Sequence, residues 1–587
     1  MIRSLWIAAG LLLIASSAGA RAQEKPPNLV IFLADDQGWG DLGVNGNTQL
    51  ATPHIDSLAR DGAILDRFFV SPVCSPTRAE FLTGRYHLRG GVRDVSRGGE
   101  RLNLDERTIA DAFKAAGYAT GAFGKWHNGS QFPYHPNGRG FGEYYGFTSG
   151  HWGDYFDARL LDHNGRLEQG KGFLVDDLTD HALKFIEDHK ARPFFCYVPF
   201  NTPHTPAQVP DRFYAKFAGL DPKLRPRNPA QEDVALTRAV LAMSENIDWN
   251  VGRVLERLEA LKLSENTIVL YFSDNGPNGW RWNGGMKGRK GSTDEGGVRS
   301  PFLIRWPGHI KAGTRIPQIA GAIDFLPTLA DLAGVPFAGK KPLDGVSLKP
   351  LLLGTAKDWP DRAILSHWNG KFSLRTQRHR LDDAGRLYDM EADPGQDRDL
   401  SKEQPEATAR LQAILAPLKK ELALPKKDDR PFSVGYPESP VTPLPARDGE
   451  PHGGVKRSAG APNCSYFTNW TRPEDRIAWP IEVATAGAYE VTLYYTCPKA
   501  DVGSTVELTF NGAKLEGTVS EPHDPPLFGA EHDRASRGSE SYVKDFKPMR
   551  LGRLELKAGR GELSLRAPSV PGRQVMDVRM VLLTLEK

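Results

Sequence analysis

The sequence predicts an α/β protein with a large mixed, mostly parallel sheet flanked by helices, then a small antiparallel subdomain, then an all-β sandwich. From about residue 27 to residue 338, short apolar runs alternate with helical patterns. Short antiparallel strands are predicted at residues 362–390, and strands of alternating polarity lie beyond residue 457. Apolar strands that alternate with helices are typical of a sheet covered on both faces.

Each element follows from a local pattern. Apolar, β-rich runs predict strands at residues 29–33, 64–70, 119–123, 194–199 and 267–272. Apolar residues at helical spacing predict helices at residues 55–63, 108–117, 178–189, 234–262, 325–333 and 405–422. Further along, an alternating run at residues 489–496, a run at 506–510 that ends in an Asn-Gly turn, a hairpin at 554–565 and a closing run at 575–585 predict the sandwich.

The domain boundaries follow from changes in composition. Residues 23–422 are predicted to form one domain, whose small subdomain begins at about residue 360. Residues 423–457 hold seven prolines, which no helix or central strand tolerates, so this segment is predicted to be a semi-rigid linker. Residues 458–587 would then form the accessory sandwich domain.

The N-terminus has the pattern of a secretory signal. Arg3 precedes an apolar run at residues 5–15, and Ala20-Arg21-Ala22 matches a cleavage site. Residues 1–22 are therefore predicted to be a signal peptide, and the protein to be exported to the periplasm or secreted. A buried N-terminal helix is the alternative. No other segment is long and apolar enough for a transmembrane anchor.

Charge and cysteine content exclude two classes of protein. Among 587 residues, 75 Lys and Arg balance 72 Asp and Glu, which leaves a net charge of +3 and no field that would gather nucleic acid. Four cysteines are too few for a disulfide scaffold. Cys464 and Cys497 either pair or remain two separate buried thiols, and their spacing leaves both alternatives open.

Polar side chains follow four of the predicted strands. The carboxyl ends of parallel strands meet at one edge of a sheet, where ligands bind. Polar residues after a single strand are often only a helix cap or a turn, but polar residues after four strands are hard to explain in that way. The residues are Asp35, Asp36, Lys125, His127, His204, Asp274 and Asn275.

Three carboxylates and an amide among these residues form a set of hard oxygen donors. They are Asp35, Asp36, Asp274 and Asn275. Such a set suits either Ca²⁺ or Mg²⁺ and not a soft metal, because both ions prefer oxygen ligands. Three carboxylates this close together would also repel one another without a cation.

A nucleophile is predicted at Cys74, which follows an apolar strand where a helical pattern begins. The N-terminus of a helix favours anions, and Arg78 lies close enough along the chain to reach a bound oxyanion. A tyrosine phosphatase would need an arginine at position 80, which is Glu80. The alternative for Cys74 is a small buried side chain.

Around Cys74 the chain resembles the formylglycine-dependent sulfatase family. Residues 74–78 (CSPTR) and 82–85 (LTGR) resemble its signature, C-x-P-S/T-R followed by L-T-G-R. Other motifs resemble that family in the same order: DDQG at residues 35–38, GKWH at 124–127, NTPH at 201–204, SDNG at 273–276, KGSTDEGGVR at 290–299 and LYDMEADP at 387–394. The resemblance covers about residues 27–422.

The resemblance implies an alkaline-phosphatase-like fold and the hydrolysis of sulfate esters. It implies that a formylglycine-generating enzyme converts Cys74 to formylglycine, whose hydrate attacks sulfur. Calcium would be held by residue 74 together with Asp35, Asp36, Asp274 and Asn275. The substrate partner expected is a sulfated carbohydrate.

The resemblance also implies roles for the remaining side chains. Arg78 and Lys125 would stabilise the hydrate, and Lys125 and Lys290 the sulfate. His204 would protonate the leaving alcohol, and His127 would take a proton from the second hydroxyl. Lys287 lies in the same glycine-rich segment as Lys290, which is preferred on motif position.

Two groups of residues are candidates for sugar binding. His151, Trp152 and Asp154 suit a sugar site, although a lone His or Trp is more often structural. Aromatic rings also cluster near the start of the sandwich, where they either stack on a glycan or fill the core: Tyr466, Phe467, Trp470 and Trp479.

Two other functions are alternatives to sulfate-ester hydrolysis. One is a phosphate- or phosphonate-ester hydrolase of the same superfamily. The other is a catalytically dead carbohydrate-binding protein, which is disfavoured because every expected catalytic position is filled.

Overall fold

The computed structural model describes residues 25–337, 339–424 and 428–586. The predicted signal peptide, residues 1–22, lies outside the described residues. Across these three ranges, we find no helix with the length and apolar character needed to cross a membrane.

A ten-stranded mixed sheet forms the centre of the molecule. Its central strand, Asn28–Ala34, pairs in parallel with Phe194–Pro199 on one side and Thr267–Ser273 on the other. The strands, in order across the sheet, are Thr314–Ile316, Ala63–Leu65, Phe302–Arg305, Thr267–Ser273, Asn28–Ala34, Phe194–Pro199, Ala119–Lys125, Glu143–Phe147, Leu161–His163 and Arg166–Glu168. The five middle strands from Thr267–Ser273 to Glu143–Phe147 are parallel, which confirms the predicted mixed, mostly parallel sheet.

Helices cover both faces of this sheet. Alternate residues of the central strand enter different cores: Leu29, Ile31 and Leu33 belong to one, and Val30 and Phe32 to the other. A strand that is buried on both faces must be apolar throughout, as observed. The helices of the described residues are Pro53–Arg60, Cys74–Thr83, Ile109–Ala115, Leu174–His189, Asp211–Tyr214, Val234–Ala260, Glu295–Val298, Phe325–Leu332, Lys349–Leu352 and Pro405–Glu421.

The predicted strand at residues 64–70 is wrong as a single element. Ala63–Leu65 belongs to the main sheet, whereas Phe68–Phe69 joins a small sheet with Arg299–Ser300 and Ala320–Gly321. The polar pair Asp66 and Arg67 separates the two apolar runs and lets the chain change sheets.

The predicted antiparallel subdomain is confirmed. Four consecutive strands pair with their neighbours in antiparallel register, and the helix Pro405–Glu421 contributes Leu411 and Leu415 to their core. The strands are Ile364–Trp368, Lys371–Arg375, His379–Leu381 and Leu387–Asp389.

The C-terminal part consists of two six-stranded sheets that share one core. Trp479 and Ile481 from the first sheet pack in the same cluster as Tyr489 and Val491 from the second. The first sheet contains Phe432–Val434, Glu450–His452, Arg476–Val483, Thr505–Phe510, Ala513–Thr518 and Gly559–Ser569. The second contains Val441–Pro445, Lys456–Arg457, Phe467–Thr468, Gly487–Thr496, Lys547–Leu556 and Asp577–Leu585. The predicted all-β sandwich is confirmed. The predicted hairpin at residues 554–565 is wrong, because Lys547–Leu556 and Gly559–Ser569 lie in different sheets and the chain crosses between the sheets there.

The predicted linker at residues 423–457 is wrong beyond residue 431. Phe432–Val434 pairs with Arg476–Val483, and Val441–Pro445 pairs with Asp577–Leu585, so both belong to the sandwich. Val441–Pro445 has a single partner strand, and an edge strand tolerates prolines because one row of its backbone groups needs no partner.

The aromatic cluster and the cysteines of this domain serve packing. Phe467, Trp470 and Trp479 lie in the sandwich core, and Tyr466 is buried against Phe546. Of the two alternatives for these rings, the structure therefore has the one in which they pack inside the domain. Of the two alternatives for the thiols, the structure has the unpaired one, with Cys464 and Cys497 both free and buried.

Candidate active site

Polar residues from four strand ends meet at one edge of the main sheet, and the candidate site lies there. Among them, Asp36 has φ 69° and His127 has φ 66°, which is left-handed backbone. Such backbone costs about 1–3 kcal/mol per residue and is concentrated at functional sites. The strained positions therefore agree with a functional role for this edge.

Gly124 lets two of these strands approach closely. Its φ is 143°, and a Cβ at this position would lie 1.9 Å from the carbonyl oxygen of Pro199. Since only glycine fits, it places Lys125, the last residue of its strand, beside the end of the neighbouring strand.

Cys74 is the first residue of its helix and is buried. Its Sγ lies 3.3 Å from Oδ1 of Asp35 and 3.8 Å from Oδ1 of Asp36. The Thr77 hydroxyl donates to the backbone oxygen of Asp274 at 2.6 Å and so ties the helix to a strand end. Because a helix N-terminus attracts anions, residue 74 lies where a sulfate group would be stabilised.

Each of the three site carboxylates is paired with a buried or half-buried cation. The pairs are Lys125 Nζ with Asp35 Oδ2 at 2.7 Å, Lys290 Nζ with Asp36 Oδ1 at 2.6 Å, and Arg78 Nη2 with Asp274 Oδ2 at 2.9 Å. Cationic side chains of the protein therefore offset part of the repulsion among the three carboxylates.

The donor atoms nevertheless fit a hard metal ion. Ligand atoms of Asp35, Asp36, Cys74 and Asp274 all lie within 4.8 Å of one another. Asn275 donates from Nδ2 to Asp36 Oδ1 at 2.9 Å, and its buried Oδ1 has no hydrogen-bond partner among the described residues. A buried carbonyl oxygen normally has a partner, and here it adds a fourth oxygen donor of the type that Ca²⁺ and Mg²⁺ prefer.

Burial and charge change the protonation of two groups at the centre of the site. Burial, together with the nearby Asp35 carboxylate, raises the pKa of Asp274 to about 6 although Arg78 pairs with it. Burial raises the pKa of the Cys74 thiol well above its ordinary value, and the Asp274 carboxylate raises it further. The unmodified thiol therefore remains protonated, and a protonated thiol is a weak nucleophile.

Two histidines in the site each hold one nitrogen against a backbone carbonyl. His127 Nε2 lies 2.7 Å from the oxygen of Val95, and His204 Nδ1 lies 2.6 Å from the oxygen of Thr205. Because a carbonyl only accepts, these nitrogens carry the hydrogens. This leaves Nδ1 of His127 and Nε2 of His204 for chemistry, and the latter lies 3.6 Å from Asp36 Oδ2.

Burial lowers the pKa of both rings. For His127 the shift is large, and the positive charge of Lys125 adds to it. For His204 burial also lowers the pKa, although the Asp36 carboxylate opposes the shift. The two rings therefore differ in the charges that face them, since His127 faces a cation and His204 an anion.

The structure separates the predicted sugar-binding residues. His151 stacks on His204 with ring centroids 5.6 Å apart, so it belongs to the site. Trp152 donates to the backbone oxygen of Arg159, and Asp154 lies 3.2 Å from His532 of the C-terminal domain. These contacts hold Trp152 and Asp154 away from the carboxylate cluster and are structural.

Lys290 and Lys287 are distinguished by their contacts. Lys290 reaches both oxygens of Asp36, whereas Nζ of Lys287 lies 5.8 Å from the centroid of the Tyr388 ring. The choice of Lys290 from its motif position agrees with this geometry.

Sequence reasoning missed residues that the C-terminal domain brings to the site. Asn463 accepts a hydrogen bond from the backbone nitrogen of Gly150 at 3.1 Å, and the Cys464 thiol donates to the oxygen of His151 at 3.0 Å. Glu540 lies 3.7 Å from Nδ1 of His204. No local pattern marks these positions, because domain docking alone brings them to the edge of the main sheet.

Comparison with known proteins agrees with this site. The Sulfatase family model matches residues 27–335, which is more than half of the chain. A second model, N-sulphoglucosamine sulphohydrolase, C-terminal, matches residues 290–427. The chain therefore belongs to the sulfatase family and is a sulfuric ester hydrolase.

Individual relatives cover most of the same region. N-acetylgalactosamine-6-sulfatase of Canis lupus familiaris is 33% identical over 381 residues, which cover 59% of this chain and 69% of the relative. Arylsulfatase A of Homo sapiens is 34% identical over 415 residues, covering 63% and 77%. The crystal structure of Ps i-CgsB in complex with k-i-k-neocarrahexaose has 29% identity and a TM-score of 0.63, and the match covers 69% of this chain and 95% of that one.

Proposed function

We propose that this protein hydrolyses sulfate esters of a carbohydrate, with a formylglycine formed from Cys74 and a bound Ca²⁺. One observation carries the proposal: Cys74 Sγ lies 3.3 Å from Asp35, inside a set of three carboxylates and three cations. The relative named N-acetylgalactosamine-6-sulfatase and the neocarrahexaose complex of Ps i-CgsB support a sugar substrate.

The oxygen donors at the sheet edge would hold the metal. Asp35, Asp36, Asp274 and the free Oδ1 of Asn275 provide them, together with an oxygen on the modified residue 74. The metal would act there as a Lewis acid on a sulfate oxygen. Ca²⁺ is proposed over Mg²⁺ because it accepts more ligands and less regular geometry.

Residue 74 needs modification to serve as the nucleophile. Hydrated formylglycine would supply the hydroxyl that attacks sulfur, which the protonated Cys74 thiol is poorly suited to do. Because the side chain is buried in the folded protein, the formylglycine-generating enzyme would have to act before this region folds.

The surrounding side chains bind the anion and move protons. Lys125 and Lys290 each place an ammonium group beside a site carboxylate, where the group can also bind sulfate oxygens. Arg78 orients residue 74 through its contact with Asp274. The imidazolium form of His204, which the neighbouring Asp36 carboxylate favours, would deliver the proton on Nε2 to the leaving alcohol.

The remaining proton transfer is assigned to His127. Its Nε2 is held by Val95, and its buried Nδ1 has no partner among the described residues. Since burial and Lys125 keep this ring neutral, Nδ1 can accept the proton that must leave residue 74 when sulfate is released.

Export is part of the proposal. It is based on the charged start, the apolar run and the A-x-A pattern of residues 1–22. Segments of this kind direct secretion and are removed from the mature protein. Mass spectrometry of protein from the native host checks it, since the first residue of the exported protein should lie near residue 23.

The central experiment is the release of inorganic anion from paired esters. We expect sulfate from 4-nitrophenyl sulfate and from at least one sulfated sugar, and a far lower rate on 4-nitrophenyl phosphate. Preference for the phosphate ester would contradict the proposal. So would an unmodified thiol in the Cys74 peptide of a preparation with full activity.

A matched pair of cysteine variants separates chemistry from packing. Cys74→Ala should abolish turnover and leave the melting temperature nearly unchanged, because the site needs the reactive group and not the bulk of the side chain. Cys196→Ala, at a buried thiol inside the strand Phe194–Pro199, should lower stability and leave the turnover number unchanged. Near-normal activity of Cys74→Ala would contradict the assignment.

A further inference from the structure

A long loop of the C-terminal domain lies against the catalytic domain. Residues 519–546 connect the strands Ala513–Thr518 and Lys547–Leu556. Gln208 donates to the oxygen of Gly529 at 2.8 Å, and the backbone nitrogen of Arg534 donates to the oxygen of Ala207 at 2.9 Å. These contacts lie within five residues of His204, so the loop is attached directly beside the active site.

A buried arginine stabilises this attachment. Arg537 donates to the oxygen of Gly153 at 2.8 Å and pairs with Asp533 at 2.7 Å. Three residues further along the loop, Glu540 extends toward the site, and the backbone oxygen of Ser539 accepts from Ala461 at 3.0 Å. The loop just before Glu540 is therefore attached to both the catalytic domain and the C-terminal domain.

The carboxylate of Glu540 lies among the active-site histidines. The Thr205 hydroxyl donates to its Oε1 at 2.6 Å. Oε1 is 3.7 Å from Nδ1 of His204 and 3.9 Å from Nδ1 of His151. Glu540 thus lies beside the residue that protonates the leaving group.

Two polar atoms at this position have no protein partner. The side chain of Glu540 is only 10% exposed, and its Oε2 has no hydrogen bond among the described residues. The same holds for Nε2 of His151. A buried polar atom without a hydrogen-bond partner costs free energy, so such atoms normally have one. Glu540 Oε2 and His151 Nε2 are therefore available to a ligand.

The exposure of the surrounding side chains locates the entrance of the site. The side chains of Asp35 and Lys125 are fully buried, whereas Lys290 is 22% and His204 is 10% exposed. The approach to the proposed sulfate-binding centre therefore passes Lys290, His204 and Glu540, and the alcohol part of a bound ester would lie on this side.

We propose that Glu540 of the C-terminal domain is a substrate-binding residue that accepts a hydrogen bond through Oε2 from a hydroxyl of the sugar carrying the sulfate. The inference rests on the proposed function and adds the group that recognises the sugar. His151 Nε2 provides a second polar contact for the same ring. The C-terminal domain thus selects for hydroxyl-bearing leaving groups over aryl groups.

A metal ion is a poorer occupant of this position. Ligand atoms of His151, His204 and Glu540 lie close enough together to hold one. However, Nδ1 of His204 carries a hydrogen toward the oxygen of Thr205, and Nε2 faces Asp36. A metal would need one of these nitrogens and would remove the acid of the proposed reaction.

Binding to an inactive protein tests the proposal without turnover. In a Cys74→Ala background, calorimetry would measure the Kd of N-acetylgalactosamine 6-sulfate, glucosamine 6-sulfate, galactose 6-sulfate and 4-nitrophenyl sulfate. Adding Glu540→Ala should weaken binding of at least one sugar sulfate tenfold or more, and binding of 4-nitrophenyl sulfate less than twofold. Glu540→Gln should show a smaller loss, because its amide retains one acceptor oxygen.

Glu531→Gln is the control, since Glu531 lies in the same loop but is exposed. It should leave all four Kd values unchanged. Equal weakening of sugar and aryl sulfates by Glu540→Ala, no weakening at all, or no binding of any sugar sulfate by Cys74→Ala would overturn the proposal. Sulfate release from 4-nitrophenyl sulfate by the unaltered enzyme tests the proposed function separately.

Discussion

Arg78 and Asp274 form a buried ion pair in which Nε and Nη2 of the arginine both donate to Oδ2 of the aspartate, at 3.1 Å and 2.9 Å. The third nitrogen, Nη1, donates to the backbone oxygen of Lys125 at 2.6 Å. One guanidinium group therefore holds the helix that begins at Cys74 against two strand ends. Its planar fork suits this task, because its donors have fixed directions.

Removing one anionic oxygen from the proposed metal site should reduce metal content and activity together. Asp274→Asn removes a carboxylate that lies within 4.8 Å of the other ligands. We expect bound Ca²⁺ per chain to fall and kcat to drop by roughly 100-fold. This is the upper end of the loss that is typical when a residue supporting a metal ligand is replaced. Elemental analysis and sulfate release measure the two quantities.

Asp66→Asn serves as the control, because Asp66 pairs with Arg315 at the surface of the same domain. It should keep both metal and activity. A variant Asp274→Asn that loses activity while retaining a full equivalent of Ca²⁺ would argue against a direct role in holding the metal.

The effect of His204→Gln should depend on the leaving group. A general acid contributes roughly 10²- to 10⁴-fold when the leaving alcohol is a poor one. We expect a loss of that size in kcat on a sugar sulfate and a smaller loss on 4-nitrophenyl sulfate, whose phenolate leaves readily. His181→Gln, at a ring stacked on Tyr145, should leave the ratio of the two rates unchanged. Equal losses on both substrates would contradict the acid role.

The docking of the C-terminal loop should depend on Arg537. Its side chain is buried and binds Gly153, Gly529 and Asp533. Because Arg537→Ala removes these hydrogen bonds and the charge that pairs with the buried Asp533 carboxylate, we expect the free energy of unfolding to fall by about 3 kcal/mol. Urea unfolding measures the change.

The control for that measurement is Arg550→Ala, which breaks an exposed pair with Glu490. It should cost less than about 0.5 kcal/mol. Similar losses in the two variants would show that the loop contact adds little stability.

A buried acid in the helix that begins at Cys74 predicts a pH dependence of stability. Burial raises the pKa of the Glu80 carboxyl from its ordinary value to about 8, although hydrogen bonds from His87 and Ser71 oppose the shift. Between pH 4.5 and 8 the unfolded chain loses this proton and the folded protein keeps it. The free energy of unfolding should therefore fall as pH rises, with a slope approaching about 1.4 kcal/mol per pH unit.

Glu80→Gln cannot ionise, so the contribution should disappear. Urea unfolding at several pH values from 4.5 to 8 gives the free energy of unfolding as a function of pH. Within this range the free energy should fall more steeply with pH for the wild type than for the variant. Parallel curves across the window would mean that Glu80 is ionised in the folded protein.

The sequence predicted the catalytic core well because its signals are local. Apolar runs and helical spacing located the strands of the main sheet, and polar residues directly after them located the site. The physical reason is that parallel strands present their carboxyl ends at one edge. Asp35, Lys125, His204 and Asp274 therefore had to lie near one another once the sheet was predicted.

The linker prediction failed, and the aromatic rings kept two alternatives, because proline and aromatic side chains each occur in more than one structural setting. Pro443 and Pro445 suggested a linker, but they lie in an edge strand where a missing N–H is tolerated. Trp470 and Trp479 suggested a sugar platform, but they lie in the core between the two sheets. Composition alone does not distinguish these uses, because each depends on which surface the strand faces.

The sequence by itself determined the fold class, the ordered motifs and the chemistry at the edge of the main sheet, since each rests on residues that are neighbours in the chain or on neighbouring strands. Only the tertiary structure decided that Glu540 and Asn463 reach the same site. Glu540 is 336 residues from His204 along the chain, and the two meet because buried contacts such as that of Arg537 with Gly153 hold the domains together. Such contacts depend on the shapes of two folded surfaces, which no local pattern encodes.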